Sequence, residues 1–169
     1  GIHVVQADVF RLPFRSDTFD AIYSIGVLHH TPDTSKAFAC LPPLLKQGGT
    51  IAIWVYVDAG LYSQRLDRVR ALTTRMPQFS LYVMCWLLVP FFRAMRHVPG
   101  IKYLAMLVPV SDQGRGLTWD VLDTFDAYSP RYQWKHKEPE VVGWFNGASL
   151  KEIQVLSFPV SVRGRKSHA

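Results

Sequence analysis

Two adjacent histidines, His29 and His30, follow the run Ser24-Ile25-Gly26-Val27-Leu28, and a third, His136, stands four residues after Tyr132. Imidazole titrates nearest to neutral pH, so each can take up a proton, release one, or orient a ligand through a hydrogen bond. The same pair also suits a plainer arrangement in which one histidine packs at a sheet edge and the other is solvated. Ser24 and Gly26 are small enough to let a ligand approach the backbone closely. Asp8 follows a β-rich run, Ile2 to Gln6, and its carboxylate can accept a hydrogen bond from a ligand or simply cap a turn. Tyr132 and His136 fit a pocket lining and a capping loop equally well. Cys40 and Cys85 lie far apart, with no Cys-x-x-Cys pair and no Cys/His cluster, so neither a disulfide framework nor a metal site is indicated. A reducing, cytoplasmic setting is the corresponding expectation.

The elements that must position these residues alternate as in a parallel α/β sheet. Ile2 to Gln6, Asp20 to Ile25 and Thr50 to Val57 read as strands, and the last is apolar enough to be buried on both faces. Between the second and third, Asp33 is a good N-cap for a helix reaching Lys46, which Pro42 and Pro43 break or kink, and Gln47-Gly48-Gly49 supplies its stop and turn. From Leu61 to Met76 the residues Tyr62, Leu66, Val69, Leu72 and Met76 share one helical face, with Arg65, Arg68 and Arg75 largely on the other. Met76 to Phe92 carries no formal charge but is shortened by Pro77 and Pro90, and Tyr103 to Val110 is a second apolar run, so neither reaches the roughly 20 residues of a spanning helix. Pro139 opens a further helix, and Ile153 to Val162 alternates as one or two strands. This divides the chain into residues 1–60, a helical insertion at 61–116, and a return to sheet and helix at 117–169.

The 169 residues carry a net charge of +6, and 49% are apolar, which is ample for a buried core. The charge is concentrated: residues 1–60 are net −1, residues 61–116 net +6, and residues 117–169 net +1. Aromatic residues of the basic segment sit in unbroken apolar runs rather than between cations, which argues against nucleic-acid binding. A basic amphipathic helix followed by an uncharged run instead suits either a cap or peripheral contact with a membrane through residues 61–110.

Five motifs fall in order over some 55 residues: Val4-Val5-Gln6-Ala7-Asp8, Leu12-Pro13-Phe14, Phe19-Asp20-Ala21-Ile22, Gly26-Val27-Leu28-His29-His30, and Leu45-Lys46-Gln47-Gly48-Gly49. Together they resemble the second half of the class I S-adenosylmethionine-dependent methyltransferase core, of the type found in ubiquinone and menaquinone biosynthesis. The resemblance implies a partial Rossmann-like sheet with a helical insertion after the third strand, S-adenosylmethionine as cofactor, and a small-molecule acceptor, lipid- or quinone-like. It implies that Asp8, with the backbone of Val9, meets the adenine, and that Ser24, Ile25, Gly26, His29 and His30 run past the sulfonium and the substrate entrance. Candidate catalytic residues are His30, His136 and Tyr132, while Asp20 ties down the strand entrance. Tyr56, near the end of its strand beside Trp54, is within reach of a substrate.

The chain departs from the pattern in two places. Relatives commonly show an Ala-Gly-Phe turn where Ala148-Ser149-Leu150 stands. They also carry, ahead of the matched part, a glycine-rich loop and an acidic strand end that hold the cofactor. Gly114-Arg115-Gly116 lies in the wrong context to replace that loop. The expectation is therefore a fragment of a longer reading frame whose strands, deprived of neighbours, have exposed edges, and which alone binds cofactor poorly.

Overall fold

Four strands form one sheet in the order β1-β2-β4-β3 in the computed structural model, which describes residues 1–95, 98, 110–111, 114–158 and 160–167. β1 (Phe19–Ile25) runs parallel to β2 (Leu45–Trp54), while β4 (Ser161–Lys166) is antiparallel to both β2 and β3 (Leu150–Val155). The helices are α1 (Thr34–Ala39), α2 (Leu61–Thr73), α3 (Gln78–Met95), α4 (Leu117–Tyr128) and α5 (Glu138–Gly147). The chain divides into two compact units, one of residues 1–58 with 132–169 and one of residues 59–131.

The sheet belongs to the first unit. Ile51, Ile53 and Val55 project from one face of β2 and are buried with Val162 of β4 beneath Ala37 and Phe38 of α1 and Val141 and Phe145 of α5. Period-two alternation puts Ala52, Trp54 and Tyr56 on the opposite face, where they are only half-buried. β2 is thus not covered on both sides as its apolar sequence suggests. On that second face β1 presents Tyr23, 77% exposed, and Ile25 opposite Trp54. Among the described residues β1 has β2 as its sole neighbour, and an apolar groove of about 290 Å³ lined by Leu12, Phe14, Ile22 and Leu44 runs beside it.

Several sequence expectations change once partners are considered. Ile2 to Gln6 forms no strand: the segment pairs with nothing in the sheet, and Ile2 and Val4 stand 96% and 93% exposed. An extended run with β-branched residues becomes a strand only when a neighbour takes its backbone hydrogen bonds. The helix expected to reach Lys46 ends at Ala39. Its start is as read, since the Asp33 carboxylate caps the Lys36 amide at 3.0 Å, an arrangement that, with Ser35, lowers the Asp33 pKa to about 2. Pro42–Leu44 then makes a 3-10 turn, and Leu45 already lies in β2. Gln47-Gly48-Gly49 accordingly falls inside the strand, in an irregularity where the pairing with β1 jumps from Leu45 to Thr50. Gly48 takes φ +74° there, and a side chain on Gly49 would meet the Lys46 and Asp20 carbonyls at 2.9 and 3.1 Å. Beside it, the Lys46 ammonium lies 2.9 Å from both oxygens of Asp20, tying down the entrance to β1.

The second unit holds α2, α3 and α4 around Leu81, Cys85, Val89, Val121 and Tyr128. It includes residue 116, the boundary expected from the sequence, and runs to Arg131 because α4 packs on α3. Pro90 does not end α3, which continues to Met95. The proline leaves one carbonyl without its helical donor, but Val89 and Phe92 are buried on either side. Arg93 then anchors the last turn through its 2.9 Å contact with the buried Asp120. Leu66 and Val69 of α2 face the core as expected, whereas Leu72 is 68% exposed. The apolar run at 103–110 lies outside the described residues except for Val110.

Candidate active site

The carboxyl end of β1 turns at Gly26, whose φ of +71° lies in the left-handed region that glycine adopts without strain. A side chain there would meet the Trp54 ring at 3.1 Å. After the turn, Leu28–His30 makes a single 3-10 turn, closed by the His30 amide to the Val27 carbonyl at 3.0 Å and the Thr31 amide to the Leu28 carbonyl at 3.1 Å. This short turn sends the two histidines into different surroundings.

His29 is fully buried. Its ring lies on Tyr56, with centroids 3.9 Å apart, and 4.2 Å from the His30 ring. Neither of its nitrogens has a hydrogen-bond partner among the described residues. Burial, reinforced by the neighbouring imidazoles of His30 and His136, pushes its pKa down to about 3, so it is neutral at physiological pH. His30 is half-buried, with Nδ1 2.9 Å from the Tyr132 carbonyl oxygen. A carbonyl only accepts, so Nδ1 carries the hydrogen, and in the neutral ring Nε2 keeps its lone pair.

A second stretch of chain is laced over this turn. The Trp134 amide donates to the His29 carbonyl at 3.0 Å, and the Trp134 indole donates to the Thr31 carbonyl at 2.9 Å. The His136 amide donates to the Tyr56 carbonyl at 2.8 Å, and the Asp58 amide to the His136 carbonyl at 3.1 Å. His136 is buried with both ring nitrogens engaged, Nδ1 at 3.0 Å from Glu140 Oε1 and Nε2 at 3.0 Å from Thr34 Oγ1. It pins the loop to α1 and α5. Tyr132 is half-buried and stacks on Trp134. Between them Gln133 is buried with its Oε1 unpartnered.

The structure therefore brings together His29, His30, Tyr132 and His136, with Gly26, Trp54 and Tyr56 beside them. Ser24 and Ile25 lead into the same turn from β1. Asp8 and Val9 stand apart: the exposed Asp8 carboxylate accepts from the Phe10 amide at 3.0 Å and caps the 3-10 turn Val9–Arg11, while Val9 packs against the core. No hydrogen bond or ring contact among the described residues links either to the histidines. Gln133, Thr34 and Glu140 were not singled out by the sequence reading. The four-residue step from His136 to Glu140 across a helix start is a readable signal, but nothing in the sequence marks Gln133 as buried.

The family model described as "Methyltransferase domain" matches residues 1–53, which include the Gly26–His30 turn and leave the Tyr132–His136 loop outside. Over residues 1–53, about a third of its length, the chain is similar to that domain. An uncharacterized chloroplastic methyltransferase of Arabidopsis thaliana is 35% identical over 60 residues, covering 36% of this chain and 17% of that protein. Sterol 24-C-methyltransferase of Saccharomyces cerevisiae is 30% identical over 60 residues, 36% of this chain and 16% of the enzyme. In both cases the matched stretch spans less than a fifth of the relative. The fold agrees over a longer range: an S-adenosylmethionine-dependent methyltransferase from Thermotoga maritima superposes with a TM-score of 0.52 at 10% identity, covering 99% of this chain and 65% of its own. The fold is a partial Rossmann-like sheet of the kind found in class I methyltransferases, with β1, most of β2 and the Gly26 turn in the matched stretch.

Proposed function

We propose that this methyltransferase domain takes part in methyl transfer from S-adenosylmethionine to a small, lipid- or quinone-like acceptor at the carboxyl ends of β1 and β2. The observation that carries the reading is the pair of buried, unpartnered polar groups at that edge, the His29 ring and Gln133 Oε1. A buried polar atom without a partner is costly, and such atoms concentrate where a ligand supplies the missing hydrogen bond. They fit a polar ligand entering beside Gly26. The sterol methyltransferase relative supports an apolar acceptor, since its name states a sterol substrate.

In this reading Asp8 and the Val9 backbone hold the adenine, and Ser24, Ile25 and Gly26 border the methionine part. The cofactor supplies an electrophilic methyl group on a sulfonium when bound. Methyl transfer to a lone pair is an in-line displacement, so the chain's main contribution is alignment. His29, neutral and fixed by Tyr56, gives a hydrogen bond without adding charge. His30 is the candidate to accept a proton from a hydroxyl acceptor, because the Tyr132 carbonyl fixes its Nδ1 hydrogen and leaves Nε2 as acceptor. His136, with both nitrogens engaged, positions the loop rather than reacting. The test is calorimetric titration of the chain with S-adenosylhomocysteine, expected to give weak but saturable binding that Asp8→Ala weakens further. Absence of binding by the chain, folded by circular dichroism, removes the reading.

A further inference from the structure

α3 is apolar on both sides. Leu81, Cys85, Val89 and Phe92 are buried, while Phe79, Val83, Trp86, Leu87 and Phe91, at steps of four, three, one and four, are exposed along the opposite face. Phe79 is 78% exposed and Leu87 68%. A helix face of this kind in water normally meets a partner.

Charge indicates which one. From Arg68 to Ser111 the sequence holds no Asp or Glu, yet it holds Arg68, Arg70, Arg75, Arg93, Arg96 and Lys102. Arg68 of α2 and Arg75 in the turn after it are exposed, either side of the exposed Leu72 in sequence, and make no ion pair among the described residues. Arg70 and Arg93 are already paired with Asp67 and Asp120, so a second copy of this chain would set the exposed Arg68 and Arg75 against the same cations, and self-association through this face is opposed by its own charge. An anionic lipid surface complements it, and the aromatic residues Phe79, Trp86 and Phe91 suit the boundary between headgroups and acyl chains.

By length and composition alone α3 could cross a membrane, its 18 residues rising about 27 Å against a hydrocarbon core of roughly 30 Å, so its packing decides the mode. Its other face is committed to α4 through Val121, Tyr128 and the Arg93–Asp120 contact. We propose that α3 lies in the plane of an anionic bilayer with Phe79, Leu87 and Phe91 inserted and Arg68 and Arg75 at the headgroups. This surface is independent of the methyl-transfer reading.

The test is sedimentation of the full chain with vesicles of phosphatidylcholine alone and of phosphatidylcholine with phosphatidylglycerol. Binding is expected to the anionic vesicles, decreasing as salt rises. Phe79→Ser/Leu87→Ser/Phe91→Ser is expected to lower partitioning about tenfold or more, and Arg68→Glu/Arg75→Glu about fivefold for each arginine. The arginine changes are at exposed positions, so they keep the test informative if the triple variant unfolds. On the unaltered chain, brominated lipid is expected to quench tryptophan emission, with the quenching reduced in Trp86→Phe. No sedimentation, equal binding to neutral vesicles, or binding indifferent to both sets of changes overturns the proposal. So does a dimer, without vesicle binding, that the triple variant dissolves.

Discussion

In the first unit, Ile51, Ile53 and Val55 project from one face of β2 into a core closed by α1 and α5, and half-buried residues occupy the other face. In the second, α3 buries Leu81, Cys85 and Val89 against α4 and leaves Phe79, Leu87 and Phe91 on its outer side. Both units are rich in apolar residues, but only the first uses period-two patterning to direct them inward. The difference teaches that apolar content measures what a segment can bury, while the location of its partners decides what it does bury. A helix apolar on both faces buries only one of them within its own unit.

The sharpest way to test that contrast is to remove matching groups from each unit and compare unfolding in urea. Phe145 is fully buried against Phe38, with ring centroids 4.8 Å apart, and Phe145→Ala is expected to cost about 3–5 kcal/mol. A smaller loss is expected from Arg93→Met in the second unit, about 3 kcal/mol, because it takes the guanidinium away from the fully buried Asp120. If that change were neutral, the second unit would owe its stability to apolar contacts alone.

A third variant probes the site. The His29 pKa is about 3 in the fold against 6.5 in the unfolded chain, so between those values the unfolded chain holds a proton that the native one does not. Stability therefore falls as pH drops from 6.5 toward 3, with a slope of up to about 1.4 kcal/mol per pH unit from this group. His29→Phe, which keeps the stacking on Tyr56, is expected to remove that slope in melts at pH 7, 6 and 5. An unchanged slope would mean that His29 reaches solvent. The smallest effect belongs to Leu87→Ser on the outer side of α3, within about 0.5 kcal/mol of the original stability. A loss comparable to Phe145→Ala would show that the outer face is buried and break the comparison.

Local physics made several features legible in the sequence. Asp33 announces α1 because a carboxylate before a helix satisfies a free amide, and Pro42-Pro43 ends it because two residues there lack the amide donor. Trp54 with Tyr56 on one face follows from alternation along the strand, whereas Asp20 as a strand-entrance tie comes from the motif resemblance. What stayed hidden depended on contacts made far along the chain. Ile2 to Gln6 has the composition of a strand but no neighbour to pair with, and Leu45 was assigned to a helix because its pairing with Phe19 is non-local. Leu117–Tyr128 carries no clear start signal other than Gly116 and went unread as a helix. At the site, the difference between a buried, neutral His29 and a hydrogen-bonded His30 arises from one 3-10 turn and the Tyr132 carbonyl, 102 residues away from His30.

The parallel bridge between Val57 and His136, with the Asp58 amide on the His136 carbonyl, has an evolutionary consequence. The chain leaves the sheet unit and re-enters it at neighbouring points, so the stretch between is a closed excursion with its ends already clamped together. Lengthening or exchanging such an excursion costs little, since loop-closure entropy grows only logarithmically with length. Descendants of this sequence can therefore trade residues 59–131 for a different surface and keep the histidine turn in register, which makes the two stretches separately heritable.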